Sequence, residues 1–522
     1  MSLHKEFDLL VIGTGISGLS AAIAAAEMGK EVAILSKEGT IDECNTRYAQ
    51  GGIVGAGKDD SPELLTQDIL LAGDGLCFRD AVRLLAREGP GVVEGFLVDR
   101  AHVPFSRDEN GNIDRTREAA HSVRRIYHVM DRTGEAIELS LIDYARKYKQ
   151  ITVFPAHTSI ELITNTHNSV DSQERYRRTR VIGAYVYDEE SGDVEVFFAS
   201  VVILATGGVG NLFLHTSNPA GATGDGVAAG YRIGAEIINA EYIQFHPTIL
   251  YHRDVKRFLI SEALRGEGAR LMNRKDEYFM EVYNPSERDL APRDAVARAI
   301  YREIELQDSD FVLLDTRCIE GLDLKKRFPQ IFEKCAEIGI DIREEPIPVV
   351  PAAHYFCGGV KVDRHGRTSM PGLYAVGETA CTGIHGANRL ASVSLLEGLY
   401  FGLRAGTDAA KHVVPVSRRL QSTIPDWVYP AREEEFDPLL IHQDFLTIQS
   451  TMWNYAGIIR TKKRLLRALA DLDYLSHRIE QFYQQARVTR EIIELRNGVL
   501  TARLIVRAAY ANSVSRGCHY VV

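Results

Sequence analysis

Apolar positions along this chain fall into distinct rhythms. Up to about residue 240 they come as short unbroken runs closed by glycine. The first, Phe7–Thr14, enters Gly13-Thr14-Gly15-Ile16-Ser17-Gly18 and then an alanine-rich stretch that ends at Gly29. An apolar run of this kind reads as a buried strand, and the whole as strand, tight turn and helix. A second strand, Glu31–Leu35, follows. Two later runs repeat the pattern: Val201-Val202-Ile203-Leu204-Ala205 leads into Thr206-Gly207-Gly208, and Gly372-Leu373-Tyr374-Ala375-Val376 leads into Gly377-Glu378. Short buried strands ending in glycine predict a parallel sheet whose carboxyl ends meet a ligand.

From about 241 to 355 helices and many charged residues take over, which reads as a domain inserted into that sheet fold. After about 412 the residues Pro415, Pro425, Pro430 and Pro438, with Glu433-Glu434-Glu435, predict a linker. Helical periodicity then returns. Leu465, Leu469, Leu472, Ile479 and Phe482 share one face, and Ile492, Leu495, Val499, Ala502, Ile505 and Ala509 share another. The predicted fold is α/β (α+β overall). A Rossmann-like dinucleotide-binding domain spans 1–240 and 356–412, a capping and substrate domain 241–355, and a C-terminal helical bundle 425–522.

Composition narrows the function classes. At 522 residues the chain has room for two or three domains, and its 45% hydrophobic and 25% charged content is ordinary for a soluble protein. A net charge of −10 argues against nucleic acid and acidic membranes as partners. No apolar run approaches the roughly 20 residues that span a bilayer. The apolar residues at the N-terminus belong to the first strand, not to a cleavable leader. Seven scattered cysteines without a CxxC pair predict no disulfide framework and no metal site. A cytoplasmic location is the simplest reading.

The first turn carries the first chemistry. Gly13 permits the turn, Gly15 lets a phosphate approach the backbone, and Gly18 lets helix and strand pack closely, with the helix N-terminus facing a pyrophosphate. Thr14, Ile16 and Ser17 complete this cofactor turn. The acidic ribose ligand expected at the end of the second strand is missing. Ser36 offers a hydroxyl to a ribose and Lys37 a charge near the adenosine; both read equally well as ordinary strand-end residues.

A second group of residues lies downstream: His246, Glu262, Arg265, Arg293, His354 and Arg389. Singly each has a structural explanation. Together their guanidinium forks and imidazole donors suit two carboxylates, since guanidinium pairs bidentately with carboxylate. A small dicarboxylate fits that inventory.

At these residues the chain resembles a known family. The N-terminal fingerprint, Tyr48-Ala49-Gln50-Gly51-Gly52, Ala205-Thr206-Gly207-Gly208, Thr223-Gly224-Asp225-Gly226 and Ala375-Val376-Gly377-Glu378 resemble the FAD-binding segments of the succinate dehydrogenase/fumarate reductase flavoproteins. Phe245-His246-Pro247, Arg265-Gly266-Glu267-Gly268, Pro292-Arg293-Asp294 and His354-Tyr355 resemble that superfamily's dicarboxylate site. The resemblance covers nearly the whole chain. It implies FAD held by the first turn, Ser36, Lys37, Asn45, Thr46, Arg47, Tyr48, Ala49, Gln50, Gly51, Gly52, Thr206 and Gly207. Asp225 and Glu378 would lie near the sugar and ribitol hydroxyls, and the backbone of Ser394 and Leu395 near the flavin.

Two departures sort the members. Membrane-bound relatives attach flavin through a histidine where this chain has Asn45, so FAD should be noncovalent. In Thr116-Arg117-Glu118-Ala119-Ala120-His121-Ser122, Glu118 replaces a phenylalanine of the reductases, as it does in the L-aspartate oxidases. A carboxylate there repels a plain dicarboxylate but pairs with the ammonium of an amino dicarboxylate. The chain therefore resembles the L-aspartate oxidases, which make iminoaspartate for quinolinate and NAD synthesis. Ala119-Ala120 stand where members commonly have glycines, which would stiffen the loop, and Ser261 stands where threonine is commoner.

The resemblance implies roles. His246 and Ser261 hold one carboxylate, His354 and Arg389 the other, and Glu118 the amino group. Arg293, served by Glu262 and Arg265, transfers a proton. L-Aspartate is the expected substrate, oxygen or fumarate the acceptor, and quinolinate synthase a candidate partner. The rivals are a soluble fumarate reductase or succinate dehydrogenase flavoprotein subunit, and a flavin-carrying docking protein without turnover.

Overall fold

A computed structural model describes residues 4–430 and 437–522; the acidic run Glu433-Glu434-Glu435 of the expected linker lies outside them. Strand β1 (His4–Ile12) enters helix α1 (Ile16–Glu27) and returns as β2 (Val32–Leu35). With β3 (Ile151–Phe154), β4 (His157–Thr164), β5 (Val181–Asp188) and β6 (Val194–Leu204) these strands lie in the order β3-β2-β1-β6-β5-β4. A further strand, Leu373–Ala375, also pairs with β6. The β3, β2, β1, β6 and Leu373–Ala375 strands are mutually parallel, whereas β5 and β4 continue the sheet antiparallel.

The apolar runs are continuous because both faces are covered. Leu9 and Val11 face α1 and the helix Val393–Lys411, while Leu10 and Ile12 join a second core on the other side. Those two helices approach so closely that a Cβ on Gly402 would meet the Ser17 carbonyl oxygen at 2.6 Å. Strand ends shift from expectation for local reasons. β1 starts at His4 because His4–Phe7 pair with Val196–Ala199 of β6. It ends before Gly13, whose φ of +115° is not extended. β6 begins well ahead of the expected Val201, because Val194–Phe198 pair with β5.

The stretch read as helical and charged also contains an antiparallel sheet. β7 (Ile243–Leu250), β8 (Arg270–Met272), β9 (Val312–Asp315) and β10 (Ile347–Phe356) lie in the order β7-β10-β9-β8. Helices α2 (Arg293–Gln307) and α3 (Pro329–Glu337) accompany it, over a separate core that includes Leu264, Leu271, Ile300 and Ile347. The side chain of Asp131, from outside this stretch, accepts from the Gln330 and Ile331 N–H groups at the start of α3, at 2.9 and 3.3 Å.

The C-terminal part holds α4 (Pro438–Ala456), α5 (Lys462–Gln485) and α6 (Arg490–Ala511). α4 corrects the linker expectation at Pro438: this proline occupies the first turn, where its missing N–H costs nothing, and Asp437 caps it by accepting from Leu439 N–H at 2.9 Å. The predicted faces of α5 and α6 pack with Leu212, Phe213 and Phe245, seating the bundle against β7. Among the described residues no helix is long and apolar enough to cross a membrane, and every cysteine is unpaired.

Candidate active site

The carboxyl ends of β1, β2 and β6 open into a cleft of about 860 Å³ that continues to His246 of β7 and His354 of β10. At its sheet end the glycine turn is sterically compulsory. A Cβ on Gly13 would lie 2.2 Å from the Ala205 carbonyl oxygen, and one on Gly18 would lie 2.1 Å from that of Gly13. Gly15 caps α1 without a side chain of its own, and Ile16 N–H donates to Thr46 Oγ1 at 3.0 Å. Every residue that the sequence assigned to the cofactor lines this cleft except Gly18, which packs beneath the turn.

Asn45 Nδ2 donates to Glu378 Oε2 at 3.0 Å, and Phe356 N–H donates to Glu378 Oε1 at 2.9 Å. Burial pushes the Glu378 carboxyl up to about 7 against these hydrogen bonds. Gln50 Oε1, Asn218 Oδ1 and Arg389 Nε are buried without a partner among the described residues, and all three residues line the cleft. Native proteins rarely leave such atoms unpaired, so the lining is built for a polar ligand. A glycine cradle, an open helix N-terminus and these orphaned atoms fit a dinucleotide such as FAD.

The other end of the cleft collects cations and imidazoles. His246 lies where β7 is irregular, with register shifts on either side of Phe245-His246 and Pro247 in the strand. Its ring and that of His354 are 5.1 Å apart. Thr248 N–H donates to His246 Nδ1 at 3.2 Å, which leaves Nε2 to carry the ring proton. Ser217 Oγ lies 2.7 Å from His354 Nδ1. Burial, then the nearby guanidinium groups, holds both imidazoles well below their ordinary value, so they are neutral donors.

Arg389 stacks on Tyr355 at 4.5 Å and donates to Ser394 Oγ at 3.0 Å. Arg293 Nε donates to Glu262 Oε2 at 2.6 Å, and its Nη1 donates to Gln244 Oε1 at 3.3 Å. Burial alone would raise the Glu262 carboxyl, but Arg293 and Arg265 outweigh it and hold it below the ordinary value. Ser261 caps the short helix Glu262–Gly266 and lines the cleft. Arg265 does not line it: the side chain lies behind Glu262, 3.5 Å from Oε2, and bonds the Asp289 carbonyl.

Glu118 faces this cluster. Its Oε2 accepts from Ser392 Oγ at 2.6 Å, and its Oε1 would touch any Cβ on Gly51 at 2.4 Å. Enclosure, then Glu262, pushes its carboxyl up, against the opposing pull of Ser392, Arg293 and Arg389. The loop behind it is strained at one of its two alanines. Ala120 sits at φ +63°, a left-handed conformation that suits glycine. Relief of about 1–2 kcal/mol of strain, less about 0.5–1 kcal/mol for glycine's freer unfolded chain, leaves a net gain. Ala120→Gly should therefore raise the melting temperature, measured by calorimetry.

Gln244, Ser392 and Ser217 belong to this site and were not assigned from sequence. Gln244 Nε2 donates to Asn388 Oδ1 and the Arg389 carbonyl at 2.6 and 2.8 Å while its oxygen holds Arg293. A lone glutamine inside an apolar strand run was the available signal. Ser392 and Ser217 stand in ordinary loop sequence, and nothing in their spacing marks them.

Two family models match the chain. The FAD binding domain family matches residues 8–395, and the fumarate reductase flavoprotein C-terminal family matches residues 446–521. L-Aspartate oxidase of Pseudomonas aeruginosa is 43% identical, with 100% of this chain and 96% of that protein covered. L-Aspartate oxidase of Acinetobacter baylyi is 42% identical over 99% of this chain and 93% of that protein. Among solved structures, Mycobacterium smegmatis Sdh1 matches with a TM-score of 0.81 at 30% identity, covering 100% of this chain and 89% of that one. A quinol-fumarate reductase chain matches with a TM-score of 0.87 at 27% identity, covering 99% and 92%.

Proposed function

The chain belongs to the L-aspartate oxidases of the FAD-binding succinate dehydrogenase/fumarate reductase flavoproteins, and we propose that it oxidises L-aspartate to iminoaspartate at the cleft described above. The observation that carries this reading is Glu118, which stands in the same cleft as Arg293, Arg389, His246 and His354. Glu262 is already paired with Arg293 and Arg265, whereas among the described residues Glu118 is held only by the Ser392 hydroxyl. Such a site suits a molecule with two negative ends and one positive group.

In this reading Arg389 and His354 take one substrate carboxylate, and His246 and Ser261 take the other. His246 donates through Nε2 and His354 adds a second neutral imidazole, so guanidinium supplies the charge and imidazole the direction. Glu118 pairs with the ammonium. Forming the C=N bond releases the Cα hydrogen with its electron pair and one proton from nitrogen, and Glu118 is placed to hold that proton. Bound noncovalently, FAD would supply the two-electron acceptor, with oxygen (giving peroxide) or fumarate as the final oxidant. Fixing several groups of one small substrate converts binding into rate. The Arg293–Glu262–Arg265 row serves proton transfer to carbon when fumarate is reduced.

Residues 241–355 act as the capping domain, since His246, Ser261, Glu262, Arg293 and His354 come from it and the glycine turns do not. A cytoplasmic location and handover of iminoaspartate to quinolinate synthase belong to the same reading. The test is anaerobic mixing of the flavin-loaded protein with aspartate, succinate or glutamate. Aspartate should bleach the bound flavin fastest, and admitting air should yield peroxide. Bleaching by succinate but not by aspartate would overturn the reading.

A further inference from the structure

Helix α6 carries a polar stripe that its packing role does not need. Arg490, Glu494, Asn497 and Thr501 recur at helical spacing on one face, and each reaches the two loops at the β2 end of the cleft. Glu494 Oε1 lies 3.0 Å from Lys37 Nζ, which also pairs with Asp225 Oδ2 at 2.6 Å. Asn497 Nδ2 donates to Asp225 Oδ1 at 2.9 Å, Arg490 Nη1 to the Lys37 carbonyl at 2.8 Å, and Thr501 Oγ1 to the Gly224 carbonyl at 3.1 Å. Gly224 has φ +81°, and a Cβ there would lie 2.7 Å from Thr501 Cγ2. The helix thus touches the loop backbone directly.

In a dinucleotide fold the end of the second strand receives the ribose of the adenosine half. Here Lys37 stands at that point. Left alone beside Asp225 it would form one ion pair between two loops that share no strand pairing. Glu494 adds a second carboxylate from a third direction and fixes the ammonium between them. Burial opposes a charged Lys37, but Asp225 and Glu494 outweigh it and raise its affinity for the proton.

We propose that α6 is a working part of the cofactor site, with Glu494 as a positioning residue that acts through Lys37 and Asp225 to hold the adenosine-half loops in register. This deepens the FAD reading above and does not depend on which dicarboxylate is oxidised. The C-terminal bundle then sets how tightly the cofactor is kept, beyond covering the sheet.

Full-length apoprotein titrated with FAD, followed by flavin fluorescence, tests it. Glu494→Gln should weaken FAD binding by about tenfold, through faster dissociation, because a charge-assisted hydrogen bond is lost. Thr501→Val, a near-isosteric change, should weaken it by about threefold. Glu480→Gln removes the carboxylate paired with Arg496 on the same helix, at 2.8 Å, away from these loops, and should leave the affinity within about twofold. Melting of the three apoproteins separates positioning from folding. Larger FAD losses in Glu494→Gln and Thr501→Val than in Glu480→Gln, without a matching loss of apoprotein stability, support the proposal. Equal affinities in all variants, or losses that merely track apoprotein melting, overturn it and leave the FAD reading standing. Wild-type apoprotein that takes up no FAD would remove both.

Discussion

Arg293→Leu should retain bound FAD and weaken dicarboxylate binding only modestly, yet lower turnover by about 10²–10⁴-fold, the range that positioned acid–base groups supply. FAD is retained because Arg293 bonds Glu262 and Gln244, not the glycine turns. Binding persists because Arg389, His246 and His354 remain. The variant should also fold. Removing one partner of a buried ion pair is severe when it leaves a lone charge, but Glu262 keeps Arg265 at 3.5 Å. Guanidinium is a poor acid, with a pKa above about 12. Two guanidinium groups around one ionised carboxylate carry a net positive charge, however, and giving up one proton makes that row neutral. Arg293→Lys tests geometry separately: one ammonium cannot span Glu262 Oε2 and Gln244 Oε1 as the planar fork does, so activity should stay low. Flavin absorbance of the purified variant, equilibrium titration with succinate, and the rate of fumarate reduction measure the three quantities. Turnover within tenfold of wild type would end the proton-transfer role.

How far the sequence revealed this arrangement depends on how local each signal is. Gly13, Gly15 and Gly18 are a local signal, because one strand, one turn and one helix fix their geometry, and the structure places them as the pattern predicts. The β5 and β4 strands were not anticipated, since their antiparallel pairing on β6 depends on distant register. The sheet that carries His246 and His354 was obscured by charged residues on the helices around it. Ser392 was illegible for another reason. Its hydrogen bond to Glu118 joins positions 274 apart in sequence, and its φ of +58° gives no residue-type signal in a serine. Pro438 misled because proline reads as linker unless the following helix is recognised. Side chains that act on their own turn were readable from the pattern. Those that act across the fold were readable where a family motif marked them, as at His246 and Arg293, and not where none did, as at Ser392.

Glu118→Gln should separate the two substrates of the shared cleft. We expect aspartate oxidation to fall by about 10²–10³-fold in kcat/KM, since losing a desolvated charge pair costs about 2–5 kcal/mol. Fumarate reduction should change by less than about tenfold and its KM should drop, because an anion that repels the dicarboxylate is gone. Glutamine keeps the volume and still accepts from Ser392 Oγ, so the loop should stay in place. The pH dependence follows from the direction of the shift. Enclosure and Glu262 raise the folded-state value of Glu118, and pairing with ammonium needs the ionised form. Aspartate kcat/KM should therefore fall as pH drops through that raised value, and the Gln variant should lack this limb. The same sign governs stability. A carboxyl whose folded value lies above its unfolded one destabilises the fold once pH exceeds the unfolded value, and the cost is full above the folded one. Glu118→Gln should thus melt no lower than wild type near neutrality, which distinguishes lost recognition from lost structure. Equal losses for aspartate and fumarate, or a wild-type acid limb that survives in the variant, would show that Glu118 does not read the ammonium.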